Sequence, residues 1–440
     1  MEQNAQERRE ARRKRRQRNQ IIAYIVVILL IILFAIGVVK GVNYVTELGK
    51  QKDQIKQEQQ DKVDDMFEEE EVITTPEPTI EPEPPVVELT PEQKLDEIVN
   101  AGIEVMPLED KVAGLFIVTP ESITGVGKAI KAGDGTKEAL SKYSVGGIVY
   151  FGQNIRSEEQ FKEMISNTVL YSNYPLFIAL DEEGGSVSRL SSAGLVEKVD
   201  SANKIAQSGE ADNAYQAGSA IGTYLNEYGV NLDFAPVADL ANVDNSVIGD
   251  RSFGADATVV SAYVNAMMQG LQDKNVTACL KHFPGIGSST QDTHKGLATT
   301  DRTAEEFRAN EFVTFKAGID AGADMIMVSH MSAPSLDESG VPCSMSEAVV
   351  TGILRNELGF DGVIITDALN MKAIADYKAA DEAAVQALKA GCDMLLMPED
   401  FEMAYNGVLQ AVRDGVISEE RIDDALRRIY RIKYADKVPE

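Results

Sequence analysis

The sequence predicts an α/β fold, a single (β/α)8 barrel of the TIM type. Three observations carry that expectation: short apolar runs recur through residues 94–440, segments with helical periodicity separate them, and polar residues gather where the runs end. Continuous apolar strands alternating with helices indicate a parallel sheet covered on both faces. Eight such units suit a closed barrel, because an open doubly wound sheet usually has fewer strands and a glycine-rich phosphate turn after the first. No such turn is present.

In order, the runs are GLFIVTP (114–120), GGIVYFG (146–152), PLFIALDEEGG (175–185), NLDFAPVADL (231–240), TACLKHFPG (277–285), DMIMVSH (324–330), GVIITDAL (362–369) and DMLLMP (393–398). Between them, stretches such as 303–322 and 381–391 have the spacing of amphipathic helices that end at glycine. Chemistry in this fold sits at the C-terminal ends of the strands. There the sequence places Asp181, Glu182 and Glu183 after run three, Asp239 after run four, and Lys281 and His282 after run five. Ser329 and His330 follow run six, and Asp367 follows run seven. All three histidines, at 282, 294 and 330, fall at or just beyond runs five and six, which points to one shared pocket.

The residues before the barrel divide into four parts. Residues 1–20 are rich in Arg and Lys, and residues 21–39 (IIAYIVVILLIILFAIGVV) carry no charge. At 1.5 Å per helical residue that apolar run reaches about 28 Å, close to the hydrocarbon thickness of a bilayer. A single transmembrane helix is expected, a cleaved signal peptide being the alternative; the basic flank keeps the N-terminus in the cytoplasm and the remainder outside. Residues 40–71 read as a polar stalk, and 72–93 as a Pro/Glu-rich spacer that resists helix and sheet.

Composition excludes some partners. A formal charge of −28 argues against nucleic acid, which requires a basic contact face. The three cysteines, Cys279, Cys343 and Cys392, are too few and too scattered for a disulfide framework, and two of them lie in apolar runs as buried small hydrophobes. The chain has no Trp, so stacking on a ligand falls to Tyr and Phe.

Two segments carry the chemistry. In IITDALNMKAI, Asp367 stands at a strand end before a helix, as either a rim nucleophile or a helix N-cap. In KHFPGIGSSTQDTH (281–294), Asp292 and His294 are two apart. In an extended loop the carboxylate can orient the imidazole as a general acid, and the alternative is a pair of solvated polar residues.

LDEEGGSVSRL (180–190), GDRSFG (249–254), KHFPGIGSSTQDTH and GVIITDAL, in this order, resemble the family-3 glycoside hydrolases. The similarity is greatest to bacterial β-N-acetylglucosaminidases whose loop carries an Asp-x-His dyad, and it extends from about residue 94 to 434. The resemblance implies Asp367 as nucleophile, His294 oriented by Asp292 as acid and then base, and Asp181, Arg189, Arg251, Lys281 and His282 as sugar ligands. It implies a terminal β-linked N-acetylglucosamine substrate from cell-wall glycan, with neither metal nor cofactor. Ile286 and Ser186 depart from the family pattern, which commonly has His and often Arg there. Other readings are a β-glucosidase of the same family, a metal-dependent barrel hydrolase using His282, Asp292, His294 and His330, and a non-catalytic wall-binding protein.

Overall fold

The computed structural model of the protein describes residues 89–241, 247–289 and 296–435. Each apolar run seen in the sequence contains a strand, and a short hairpin adds two more. The strands are β1 (Phe116–Val118), β2 (Gly147–Val149), β3 (Phe177–Leu180), β4 (Glu182–Gly184), β5 (Val187–Ser188), β6 (Leu232–Asp233), β7 (Thr277–Phe283), β8 (Met325–Val328), β9 (Val363–Thr366) and β10 (Leu395–Leu396). β4 and β5 pair antiparallel with each other. The other eight are parallel in the order β10-β1-β2-β3-β6-β7-β8-β9, and a bridge from Ile365 to Met394 brings β9 to β10. The result is a nearly closed eight-stranded barrel of α/β class, as the alternation of runs and helices predicts.

The seam between β9 and β10 is drawn together by charge. Asp393, fully buried before β10, accepts from the Ile364 main chain at 2.9 Å and from Arg355 at 2.7 Å, with Arg421 and Arg428 each at 3.4 Å. A buried carboxylate is tolerated where cations and N–H donors replace its hydration. Apolar packing holds the strand end that carries Lys281 and His282. The buried Phe283 ring lies 5.4 Å from Phe312 and 5.2 Å from Phe315, both on the helix Glu311–Asp320 that follows.

Helices follow the strands as expected, with one difference. The periodic segment 303–322 forms two helices, Ala304–Ala309 and Glu311–Asp320, because Asn310 leaves helical geometry at φ −128°, ψ −83°. Thr303 and Glu306 make a capping box at the first. Residues 90–93, assigned to the spacer in the sequence, cap the helix Pro91–Glu104 in the same manner through Thr90 and Gln93. Cys279, Cys343 and Cys392 are buried free thiols. Among the described residues no helix is long and apolar enough to cross a membrane, and the expected span at 21–39 lies outside them.

The helices Asp212–Tyr228 and Ala257–Gln272 touch backbone to backbone. A Cβ on Gly218 would sit 2.2 Å from the Met267 carbonyl oxygen, and one on Gly270 2.4 Å from that of Tyr215. Gly218→Ala is expected to destabilise the fold by about 2 kcal/mol through overpacking, measured as a lower denaturant midpoint at unchanged slope.

Candidate active site

At the C-terminal ends of the strands a cavity of about 490 Å³ opens, lined by Asp181, Arg189, Arg251, Lys281, His282 and Asp367. Six of the eight residues singled out in the sequence therefore meet in one place. Asp292 and His294 lie outside the described residues.

The side chains of the Asp181-Glu182-Glu183 segment diverge because successive residues of an extended chain point to opposite faces. Asp181 and Glu183 face the cavity, whereas Glu182 points away and organises the segment behind. The Glu182 carboxylate accepts main-chain N–H bonds from Arg189, Leu190 and Ser191 at 2.5, 3.1 and 3.4 Å, and one from the Tyr224 hydroxyl at 3.2 Å. The turn between β4 and β5 needs glycine: Gly184 and Gly185 have φ of 84° and 60°. That hairpin returns the chain so that Arg189 Nη2 meets Asp181 at 2.9 Å. Ser186, one of the departures from the family pattern, is exposed between the two strands.

Lys281 is the hub of the charges. Its amine lies 2.9 Å from Asp181 and 2.6 Å from Glu183, and Glu183 in turn holds Arg251 through two bonds of 2.7 Å. Burial alone raises the pKa of a carboxyl and lowers that of an amine, but here the opposite charges win. Against its burial, Asp181 is held well below the usual carboxylate range by Lys281 and Arg189. Glu183 is likewise lowered, against burial, by Lys281 and Arg251. Lys281 is held above its ordinary value, against burial, by Asp181 and Glu183. Asp181, Glu183 and Lys281 are therefore charged at neutral pH.

Asp367 follows β9 directly. Its main-chain N–H donates to Val328 at 2.8 Å, and its Oδ1 accepts from the Ala368 N–H at 2.7 Å. The next helix, Lys372–Ala375, begins later with Met371 as its N-cap. Asp367 is thus a cavity residue and not the helix cap that the sequence left open. His330 corrects another expectation. It is fully buried, and both ring nitrogens are engaged, one with Ser344 Oγ at 2.8 Å and the other with the Ala368 carbonyl at 3.0 Å. Burial lowers its pKa, so it is neutral, and it holds the peptide after Asp367 in place of binding a metal. Among the described residues no group of three or more His, Cys, Asp and Glu side chains could hold a metal, and Asp292 and His294 of that rival ligand set lie outside them.

Two residues with structural roles here had no role in the sequence reading. Glu183 and Asp239 are recognisable as polar residues at strand ends, but their partners, Lys281 and His282, are far along the chain. Asp239 is fully buried and accepts from His282 Nδ1 at 2.7 Å. Apolar side chains complete the lining, among them Val149, Phe151, Met327, Met371, Leu396 and Met397. A lining that mixes charged and apolar side chains suits a polyhydroxylated ring with a less polar face.

Residues 107–432 match the model of the glycosyl hydrolase family 3 N-terminal domain. The chain belongs to that family. Relatives include β-hexosaminidase A of Pseudoalteromonas piscicida, 31% identical over 331 residues, which are 69% of this chain and 55% of that protein. The β-hexosaminidase of Nitrosomonas eutropha is 35% identical over 269 residues, 60% of this chain and 77% of that one. A solved family-3 β-N-acetylglucosaminidase from Paenibacillus sp. superposes with a TM-score of 0.71 at 34% identity, over 76% of this chain and 64% of that chain. The chain thus spans little more than half of the first relative and less than two thirds of the Paenibacillus enzyme.

Because Glu183 is lowered relative to its unfolded value, its contribution is complete above the ordinary carboxylate range and is lost as pH falls through the folded-state pKa. Glu183→Gln is expected to cost about 3 kcal/mol at neutral pH, by leaving Lys281 and Arg251 short of an anion. The gap between wild type and variant is expected to stay constant down to about pH 5 and to shrink below it, followed by thermal unfolding across pH.

Proposed function

We propose that the protein is a retaining exo-β-N-acetylglucosaminidase that removes terminal β-linked N-acetylglucosamine from cell-wall glycan fragments. The observation that carries this reading is the placement of Asp367 in one cavity with the buried charge network of Asp181, Arg189, Lys281 and Arg251 and with His282. The names of the β-hexosaminidase relatives and of the Paenibacillus β-N-acetylglucosaminidase support the sugar assignment.

In this mechanism the sugar's hydroxyls donate to Asp181, which stays anionic, and to His282 Nε2, and accept from Lys281 and Arg189. A ring clamped in this way presents its anomeric carbon to Asp367. The Asp367 carboxylate attacks that carbon, the bond to the leaving oxygen breaks, and His294, oriented by Asp292, gives that oxygen its proton. His294 then takes a proton from water, the water oxygen bonds to the anomeric carbon, and the ester to Asp367 breaks. Two displacements at one carbon return the original configuration. The apolar run at 21–39 supports a single membrane span, with the N-terminus cytoplasmic and the catalytic domain outside, held off the membrane by the Pro/Glu spacer. Such a placement brings the enzyme to wall glycan.

The test is a comparison of chromogenic β-N-acetylglucosaminide and β-glucoside on the full-length chain. The acetylated sugar is expected to be cleaved in strong preference, Asp367→Asn to fall to background, and His294→Ala to lose about 10²- to 10⁴-fold. Preference for the glucoside would identify a β-glucosidase of the same fold, and full activity in Asp367→Asn would remove the nucleophile.

A further inference from the structure

Asp239 stands at the end of the fourth run without touching the cavity, yet three segments that build the cavity depend on it. Its Oδ2 accepts the main-chain N–H of His282 at 3.1 Å and faces the ring Nδ1 at 2.7 Å. Oδ1 accepts the N–H of Ile286 at 2.7 Å, at the start of the turn 286–288 that leads toward residues 290–295. The Asp239 carbonyl accepts from Ser252 Oγ at 2.7 Å, beside Arg251. The residue is 0% exposed, and each carboxylate oxygen already accepts a main-chain N–H.

The turn is pressed against the same strand end. A Cβ on Gly287 would lie 1.6 Å from the Leu240 carbonyl oxygen, so only glycine allows this approach. Downstream, where the chain is again described, Ala298 and Thr300 bond to the Ser332 main chain at 2.7 and 3.2 Å. Asp239 and the close approach of Gly287 to Leu240 thus fix the turn 286–288 against the end of the fourth run.

We propose that Asp239 is a positioning residue: it holds the His282 ring with Nδ1 protonated and Nε2 turned to the sugar, and it fixes the start of the turn 286–288. A carboxylate oxygen only accepts, so the ring nitrogen facing it carries the proton. One buried side chain then couples the sugar clamp to the turn that follows it. The Asn variant keeps the shape but offers the ring a weaker acceptor, and its NH2 replaces an oxygen that accepted a main-chain N–H, from His282 or from Ile286. For catalysis, only the activity part of this assignment rests on the glycosidase reading.

The experiment uses the full-length chain labelled with ¹⁵N at histidine, in which three residues contribute. Long-range ¹H–¹⁵N correlation, with the His282 signals assigned by their loss in His282→Gln, reads the tautomer without substrate. Wild type is expected to show His282 protonated at Nδ1, and Asp239→Asn to lose that single fixed tautomer, with kcat/KM down about 100-fold and the loss mainly in kcat. A wild-type His282 protonated only at Nε2 overturns the proposal, and so does an Asp239→Asn enzyme within about twofold of wild-type kcat/KM. If Asp239→Asn does not fold, the wild-type spectrum alone decides. Wild type inactive on every glycoside tells against the glycosidase reading, and the tautomer still decides for Asp239.

Discussion

A lysine amine with 2% of its surface exposed holds its charge only where anions replace the water it has lost, and Lys281 stands in that position at the end of β7. Desolvating one ammonium costs on the order of several kcal/mol, so Asp181 and Glu183 at 2.9 and 2.6 Å are conditions of folding as much as of binding. These carboxylates come from the end of β3 and from the hairpin after it, a hundred residues earlier in the chain. Their pairing ties the ends of β3 and β7 together over the intervening β6. Arg189 and Arg251 extend the network in opposite directions, and each brings its own loop to the rim.

A site built this way is fixed before any ligand arrives. The charges are paired within the protein, which offsets their burial, while Asp181 and Lys281 keep faces toward the cavity. Preorganised groups of this kind do not have to reorient when a sugar binds. Neutral groups do the supporting work around Asp367. His330, protonated where it meets the Ala368 carbonyl, steadies the peptide after Asp367 without adding charge near it.

Much of this was legible in the sequence, for reasons that can be stated. Parallel strands buried on both faces read as uninterrupted apolar runs, so all eight barrel strands stood out, and their ends located Asp181, Lys281, His282 and Asp367. Pairings were not legible. Nothing local to Glu183 names Arg251 as its partner, and nothing local to Asp239 names His282, because both contacts form only where the ends of the neighbouring strands β3, β6 and β7 meet. His330 looked like a ligand because its position at a strand end is that of a site residue. Its side chain instead turns behind Asp367 toward Ser344, a direction that depends on where the chain after β8 passes. The break at Asn310 was hidden by a periodicity that continues on both sides of it.

The roles of Glu182 and Asp239 suggest how the two halves of the proposed reaction are joined. Glu182 shapes the segment that delivers Arg189 to Asp181, and Asp239 shapes the one that delivers His282 and the turn beyond it. Each is buried and bonded to main-chain N–H groups, so each fixes backbone position and leaves contact with a ligand to its neighbours. The central claim is that a covalent bond forms between a sugar and Asp367. A fluorinated N-acetylglucosaminyl fluoride, which glycosylates a retaining enzyme faster than the adduct hydrolyses, tests it when the treated protein is digested and examined by mass spectrometry. The account predicts one added sugar on the peptide containing Asp367; a sugar on another carboxylate, or turnover without an adduct and with inverted product, would contradict it.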